Sequence, residues 1–274
     1  MNKWWFLNTG LSQGAKNMAI DEVLATQVVP KEKIPVFRIY GWQPYAISLG
    51  YGQNLKDLNL RKCQQDGIDV VRRPTGGRAV FHAEEITYCV IIPKESKFYS
   101  TDILTTYNLI SKALLFGLCS FGINAQLKKR LTNNNKNGAY KNDVPCFASS
   151  AEYEIVFENK KLVGSAQRRY ENSILQHGSI LTGTNHLKLA DYINFSNELS
   201  KKRFKGELEK KTISISQILN QIVDQNKLIE SLKFGIQKSF TIQLIEKQLT
   251  PQVVNEVNKI IEKYQLIGGN NHES

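Results

Sequence analysis

Residues 72–82 read RRPTGGRAVFH, and the reading of this stretch decides the reading of the rest. It follows the β-rich run IDVV (68–71) and leads into a second apolar run at Ala79. A plain hairpin closes with about two turn residues. Here a proline, two adjacent glycines and the arginines Arg72, Arg73 and Arg78 crowd the connection. Gly76-Gly77 permits positive φ and close approach of main chain to a ligand. N–H groups exposed in such a turn can hold an anion or a carbonyl oxygen. A Gly-Gly hairpin with solvated arginines is the competing structural reading. The stretch matches neither the phosphate loop GxxxxGK[ST] nor the dinucleotide pattern GxGxxG.

Working outward, PVFRIY (35–40) and AISLGY (46–51) read as strands around the turn GWQP, and EITYCVIIP (85–93) as a nearly continuous β-rich run. A first helix is predicted from about Gln13 to Val29, and LKDLNLRKCQQDG gives a short helix ending at Gly67. Ser100-Thr101-Asp102 caps a long helix through about Leu118, with Ile103, Leu104, Tyr107, Ile110, Leu114, Leu115 and Leu118 as its buried stripe. The polar, period-free stretch 130–143 reads as a loop. AEYEIVF and KLVGSAQR alternate as a hairpin around ENK, and SILQHGSILTG adds a strand pair or a bent strand. After Thr184 the character turns helical. Thr250-Pro251 starts a last helix with Val253, Val257, Ile260, Ile261 and Tyr264 facing inward. The expected fold class is α+β: a mainly antiparallel sheet with helices on one face, then a helical C-terminal segment. Residues 1–249 form the main domain, and 250–274, a helix and a frayed tail, belong to it.

The chain has 274 residues, 41% of them hydrophobic, enough for a sizeable core and too apolar for disorder. No run approaches the roughly 18 apolar residues of a spanning helix. The start, MNKWWFLNTG, lacks a signal peptide's apolar core and cleavage site, so a cytoplasmic location is the default expectation. The cysteines at 63, 89, 119 and 146 form no CxxC pair and the histidines are scattered, which argues against a zinc site. Cys89 and Cys119 sit in apolar runs and read as buried; Cys63 falls in a polar helical stretch. The net charge of +11 points to an acidic partner or to a solvated surface. Its clusters (KKR at 128–130, KKRFK at 201–205, KK at 210–211) carry no interleaved aromatics of the RNA-binding kind.

Cys146 differs from the other cysteines. It follows a proline at the end of the polar loop and precedes Ala148, Ser149 and Ser150, so its position allows exposure. Fifteen residues on, Lys161 opens KLVGSAQ, where Gly164 and Ala166 leave room beside a strand for a thin ligand. An ammonium near a thiol favours the nucleophilic thiolate; a partly buried cysteine and a surface lysine are the bland alternative. His177 in LQHGSIL, like His82, is either a satisfied core histidine or a residue lining the same cleft.

Together these stretches resemble the lipoate–protein ligase superfamily, whose catalytic domain is shared with biotin ligases. RRPTGGRAVFH is similar to its RRxTGG(G/R)AVxH motif, which lines the acyl-chain tunnel. KLVGSAQ is similar to its Kx(x)GxAQ motif, with the motif lysine at Lys161. PCF fifteen residues before that lysine resembles the cysteine-dependent octanoyltransferases, the LipM type. The resemblance implies an enzyme that moves octanoyl from octanoyl-acyl carrier protein to a lysine of apo lipoyl domains, or of the glycine cleavage H protein, through a Cys146 thioester. Cys146 and Lys161 would be catalytic. Arg72, Arg73, Thr75, Gly76, Gly77, Arg78, His82, Gly164, Ser165, Ala166 and His177 would bind substrate. Val71, Val80, Gly164 and Ala166 would wall the acyl slot, and the motif arginines would greet an acidic carrier. No cofactor, nucleic acid or membrane is implied. The chain departs from the pattern at Ala83, where an acidic residue often follows the motif histidine; Glu84 and Glu85 come next. Three alternatives stay open: an ATP-dependent lipoate or octanoate ligase, a lipoyl-protein amidotransferase of the same fold, and a non-catalytic binding module.

Overall fold

The structure, a computed structural model, describes residues 2–129 and 153–267. Cys146 and the loop expected over 130–143 lie outside the described residues.

Strand β1 (Asn2–Ser12) leads into α1 (Gly14–Val23), which continues through a π-helical turn (Leu24–Val28) into α2 (Val29–Glu32). Next come β2 (Val36–Trp42), β3 (Ala46–Leu49), α3 (Leu60–Gln65), β4 (Asp69–Arg72), β5 (Val80–His82), β6 (Glu85–Pro93) and α4 (Ile103–Ser120). Strand β7 (Gln126–Lys129) precedes the hairpin of β8 (Tyr153–Phe157) and β9 (Lys160–Arg169), followed by a single strand β10 (Ser173–Leu181). Then come α5 (Glu198–Lys211), α6 (Ile215–Leu219), α7 (Gln225–Phe240), β11 (Ile242–Glu246), α8 (Pro251–Ile260) and β12 (Gln265–Ile267).

The strands form two sheets. The large one runs β11-β1-β2-β6-β10-β9-β8-β7, antiparallel from β2 to β7 and parallel across β11, β1 and β2. The small one runs β12-β4-β3-β5. The strands on either side of GWQP therefore belong to different sheets. Helices cover both faces of the large sheet, where the sequence predicts one. Phe37 and Ile39 of β2 face a core with Ile110 and Leu114 of α4 and Leu232 and Ile236 of α7. Val36 and Tyr40, at the alternate positions, face Met18 and Ala19 of α1 and Val257 of α8. The alternation along β2 was legible, yet both of its phases are apolar, so two helical layers are needed.

Tyr107, Ile110, Leu114 and Leu118 of α4 are buried as expected, whereas Ile103, at the helix start, is 57% exposed. Over 18 residues α4 reaches a mean hydropathy of 1.3, enough on composition for a membrane span. Its apolar inner face is instead spent on the core. One cysteine expectation is reversed, that of Cys119. Cys119, in the last turn of α4, is exposed, and Cys63 is fully buried, its thiol pKa pushed up to about 11 by burial. The polar neighbours of Cys63 ride the outer face of α3, which hides its one inward position.

Helices α4 and α7 touch backbone to backbone. A Cβ on Gly235 would lie 2.4 Å from the Ala113 carbonyl oxygen and 2.5 Å from the Gly117 nitrogen. Gly235→Ala gains about 1 kcal/mol of helix propensity but must force the helices apart, at about 1–3 kcal/mol. Urea denaturation is expected to show net destabilisation, against the propensity trend.

Candidate active site

A cleft of about 300 Å³ opens where β9 and β10 of the large sheet meet β3 and β5 of the small one, with the first turn of α4 as its third side. Gly164, Ser165 and Ala166 of β9 face Gly178 and His177 across the β9–β10 pairing. Val80 and His82 come from β5, Met18 from α1, and Ile103, Leu104 and Tyr107 from α4. Lys161 stands at the start of β9, its side chain only 8% exposed.

Behind these walls lie two carboxylate–histidine–hydroxyl relays. In the first, Asp21 Oδ2 lies 2.9 Å from His177 Nδ1, and His177 Nε2 lies 2.7 Å from Thr75 Oγ1. Arg38 Nη1 donates to Asp21 Oδ1 at 2.6 Å, and the Tyr40 hydroxyl donates to Oδ2 at 2.9 Å. Burial works to raise the Asp21 pKa, but Arg38 and His177 outweigh it, and the carboxyl stays below its ordinary value. Burial also lowers the His177 pKa, against the pull of Asp21. The Asp21–His177 contact is thus a neutral imidazole donating Nδ1–H to a carboxylate, and Nε2 accepts from Thr75.

In the second relay, Glu85 Oε1 lies 2.8 Å from His82 Nδ1, and His82 Nε2 lies 2.7 Å from Ser48 Oγ. Ser48 in turn accepts from Arg73 Nη1 through its carbonyl at 2.8 Å and its hydroxyl at 3.1 Å. Thr87 and Ser179 both donate to Glu85 at 2.5 Å, and the Trp42 ring stacks on His82 at 4.0 Å. His82 and these hydroxyls hold Glu85 below its ordinary pKa although burial pushes it up. The departure at Ala83 is thereby resolved: the acidic partner stands three residues after His82, on the adjoining strand.

Both relays end on the loop RRPTGGR. Thr75 is buried there and takes the His177 hydrogen bond instead of lining the cleft. Arg73, 7% exposed, donates to the carbonyls of Gly76 and Arg78 as well as to Ser48. Gly77 has φ +98°, and a Cβ on it would strike Arg73 Nη2 at 2.6 Å, so glycine is required by both conformation and space. Arg72 donates to the carbonyls of Gly50, Tyr51 and Gln53 and does not line the cleft. The guanidinium groups of both arginines bond backbone carbonyls and scaffold the loops. Arg73, Gly76, Gly77 and Arg78 line the cleft. Of the guessed slot walls, Val80, Gly164 and Ala166 line it, while Val71 is 1% exposed and packs against the α1 side of the core.

Lys161 Nζ lies 2.8 Å from Glu154 Oε1, and the Glu154 side chain is 15% exposed. Sequence reasoning missed Glu154, Asp21 and Ser48. An acidic residue opening the apolar run EIVF was the only available signal for Glu154; Asp21 and Ser48 gave none, because their partners are distant in the chain. Among the described residues, no cluster of three histidine, cysteine or acidic side chains is placed to hold a metal ion.

With this geometry in hand, comparison with known proteins is specific. The lipoyl protein ligase A/B catalytic domain family model matches residues 13–237. Octanoyltransferase LipM of Macrococcus caseolyticus is 36% identical over 265 residues, 96% of each chain. That of Clostridioides difficile is 35% identical over 97% of each, and that of Bacillus subtilis 33% over 94% of each. The fold is similar to that of a lipoate-protein ligase A bound with ATP (TM-score 0.77, 18% identity, 96% of this chain and 95% of that one). It is equally similar to the bi-partite lipoate protein ligase of Thermoplasma acidophilum (TM-score 0.77, 18% identity, 96% and 93%). The chain therefore belongs to the lipoyl protein ligase A/B catalytic-domain family and, at this identity over nearly its whole length, to the LipM octanoyltransferases within it.

Two stability predictions follow from the relays. Asp21→Ala leaves Arg38 charged and unpaired in the core, and chemical denaturation is expected to show a loss of about 3–5 kcal/mol. The second concerns pH. Burial holds His177 and His186 below their ordinary value of 6.5. Below pH 6.5 the unfolded chain binds protons that the folded chain refuses, so their contribution is complete above that pH and lost as pH falls. Asp21 and Glu85, also lowered, extend the loss to more acidic pH. Melting temperature is expected to be level from about pH 8 to 7 and to fall steadily below 6.5, with a shallower slope in His186→Gln.

Proposed function

We propose that this octanoyltransferase draws octanoyl from a thioester on acyl carrier protein onto Cys146 and passes it to a lysine ε-amine of an apo lipoyl domain or the glycine cleavage H protein, in the cytoplasm. The observation that carries this reading is a buried ammonium, Lys161, opening the strand that floors a largely apolar cleft. In the first step the Cys146 thiolate attacks the donor carbonyl. A new C–S bond forms, the old one breaks, and the carrier leaves as a thiol after taking up a proton. In the second step the acceptor amine attacks the acyl-cysteine. A C–N bond forms, the C–S bond breaks, and the proton lost by the amine returns to the sulfur. Thioester to amide is downhill, so neither step needs ATP. Lys161 favours the thiolate by charge, and each buried acyl methylene contributes about 0.8 kcal/mol to holding the chain. His82 and His177, with their relays, keep the cleft walls in place. The packing of α8 against α1 supports one catalytic domain that includes the C-terminal helix.

Incubation with octanoyl carrier protein is expected to add the mass of one octanoyl group, removable by hydroxylamine and absent in Cys146→Ser. Lys161→Ala is expected to slow the acylation at least tenfold. If Cys146→Ser keeps full transfer and consumes ATP, the ligase alternative holds instead.

A further inference from the structure

The cleft has a rim that the reaction itself does not use. Strand β9 floors the cleft with Gly164 to Gln167 and then presents Arg168 and Arg169 in succession. Their side chains reach opposite sides of the opening. Arg168 Nη1 donates to the Pro74 carbonyl, just before the two glycines, at 2.7 Å. Arg169 Nη2 donates at 2.7 Å to the Ser100 carbonyl, just before the α4 turn that lines the cleft. The Arg168 guanidinium carbon also lies 5.6 Å from the centre of the Tyr51 ring. Tyr51 is 69% exposed, and its N–H donates to the Thr75 carbonyl at 3.0 Å, which ties it to the same loop. Ile103, 57% exposed, lines the cleft from the other side, and Arg78 is half-buried along it.

Single exposed apolar residues are ordinary. A tyrosine, an isoleucine and two arginines around one opening are the residue types that anchor protein interfaces. We propose that Tyr51, Arg168, Arg78 and Ile103 form the docking surface for the acidic carrier protein that delivers the acyl thioester. This rests on the reading of function above and names the surface that its donor uses. Charge decides between donor and acceptor. A thioester tethered through a phosphodiester to an acidic protein brings anions to this rim, and the chain as a whole carries +11. An acceptor lysine arrives as a cation and gains nothing from two arginines.

The test compares two donors with one fixed acceptor: octanoyl carrier protein, and octanoyl-N-acetylcysteamine, which has neither protein nor phosphate. Tyr51→Ser is the first variant because its side chain is mostly in solvent. Arg168→Gln is the second, read by the ratio between donors because Arg168 also pins Pro74. Both are expected to lower kcat/KM for the protein donor about tenfold or more, with the small donor changed less than twofold and the acceptor KM unchanged. Added salt is expected to weaken only the protein donor in the wild type. An equal loss with both donors, no loss with either, or a loss confined to the acceptor KM overturns the docking surface. If wild-type enzyme takes octanoyl from neither donor, the functional reading itself falls, which separates the two failures.

Discussion

The carboxylate of Asp21, on α1, is completely buried and meets Arg38 and Tyr40 of β2 and His177 of β10. An ion there costs several kcal/mol to desolvate, and only a full set of partners offsets that cost. The set is full because α1 crosses the face of the sheet where β2 and β10 present their polar positions. The ion pair thus fixes the orientation of α1 over the sheet, and His177 transmits that fixed point to Thr75 and the glycine loop. Glu85, at the start of β6, does the same through His82 and Ser48 of the small sheet to Arg73. The loop is clamped from beneath by the two carboxylate–histidine–hydroxyl relays, so its glycines can face the cleft without the loop collapsing into it.

This arrangement separates two jobs that one motif mixes. The arginines at 72 and 73 look like an anion site in the sequence, because guanidinium groups beside glycines usually meet phosphate or carboxylate. In the fold they satisfy partly buried carbonyls of two irregular loops. Arginine suits this task because one planar group can serve several carbonyls at once. Positive charge at the cleft mouth comes instead from Arg78 and from the end of β9.

Much of the fold was legible. The period of α4, its Asp102 cap and the β8–β9 hairpin all follow from local pattern, whereas the expected strand pair or bent strand around His177 is one continuous strand. The strands that escaped notice are β1, β7, β11 and β12. Strand β1 carries a tryptophan pair and polar residues without clean alternation, since it is parallel to a neighbour on each side. Strand β11 is a short edge strand directly after a helix, and β12 is three residues long. Of the site, the residues inside motifs were legible and their partners were not. His82 and His177 stood out as candidates, but Ser48 and Asp21 become partners only when sheets fold over each other, across 34 and 156 residues of sequence. For the arginines the sequence shows a charge and not the carbonyls it will meet.

The placement of Lys161 also explains why one strand carries both the charge and the small residues. At about 3.3 Å per residue, Gly164 lies roughly 10 Å along β9 from Lys161, and Ala166 roughly 16 Å. In the proposed transfer, a carbonyl held near the ammonium would lay its hydrocarbon tail along positions without bulky side chains. The ammonium itself must stay put for this ruler to work. A lone lysine in an apolar cleft would swing to solvent. The Glu154 carboxylate, on the partner strand of the same hairpin, holds it in place with an ion pair at 2.8 Å. The hairpin thus supplies the charge, its anchor and the floor as a single unit, and the register of β8 on β9 becomes part of the chemistry: slipping it by one residue turns Glu154 to the opposite face and leaves Lys161 without its carboxylate.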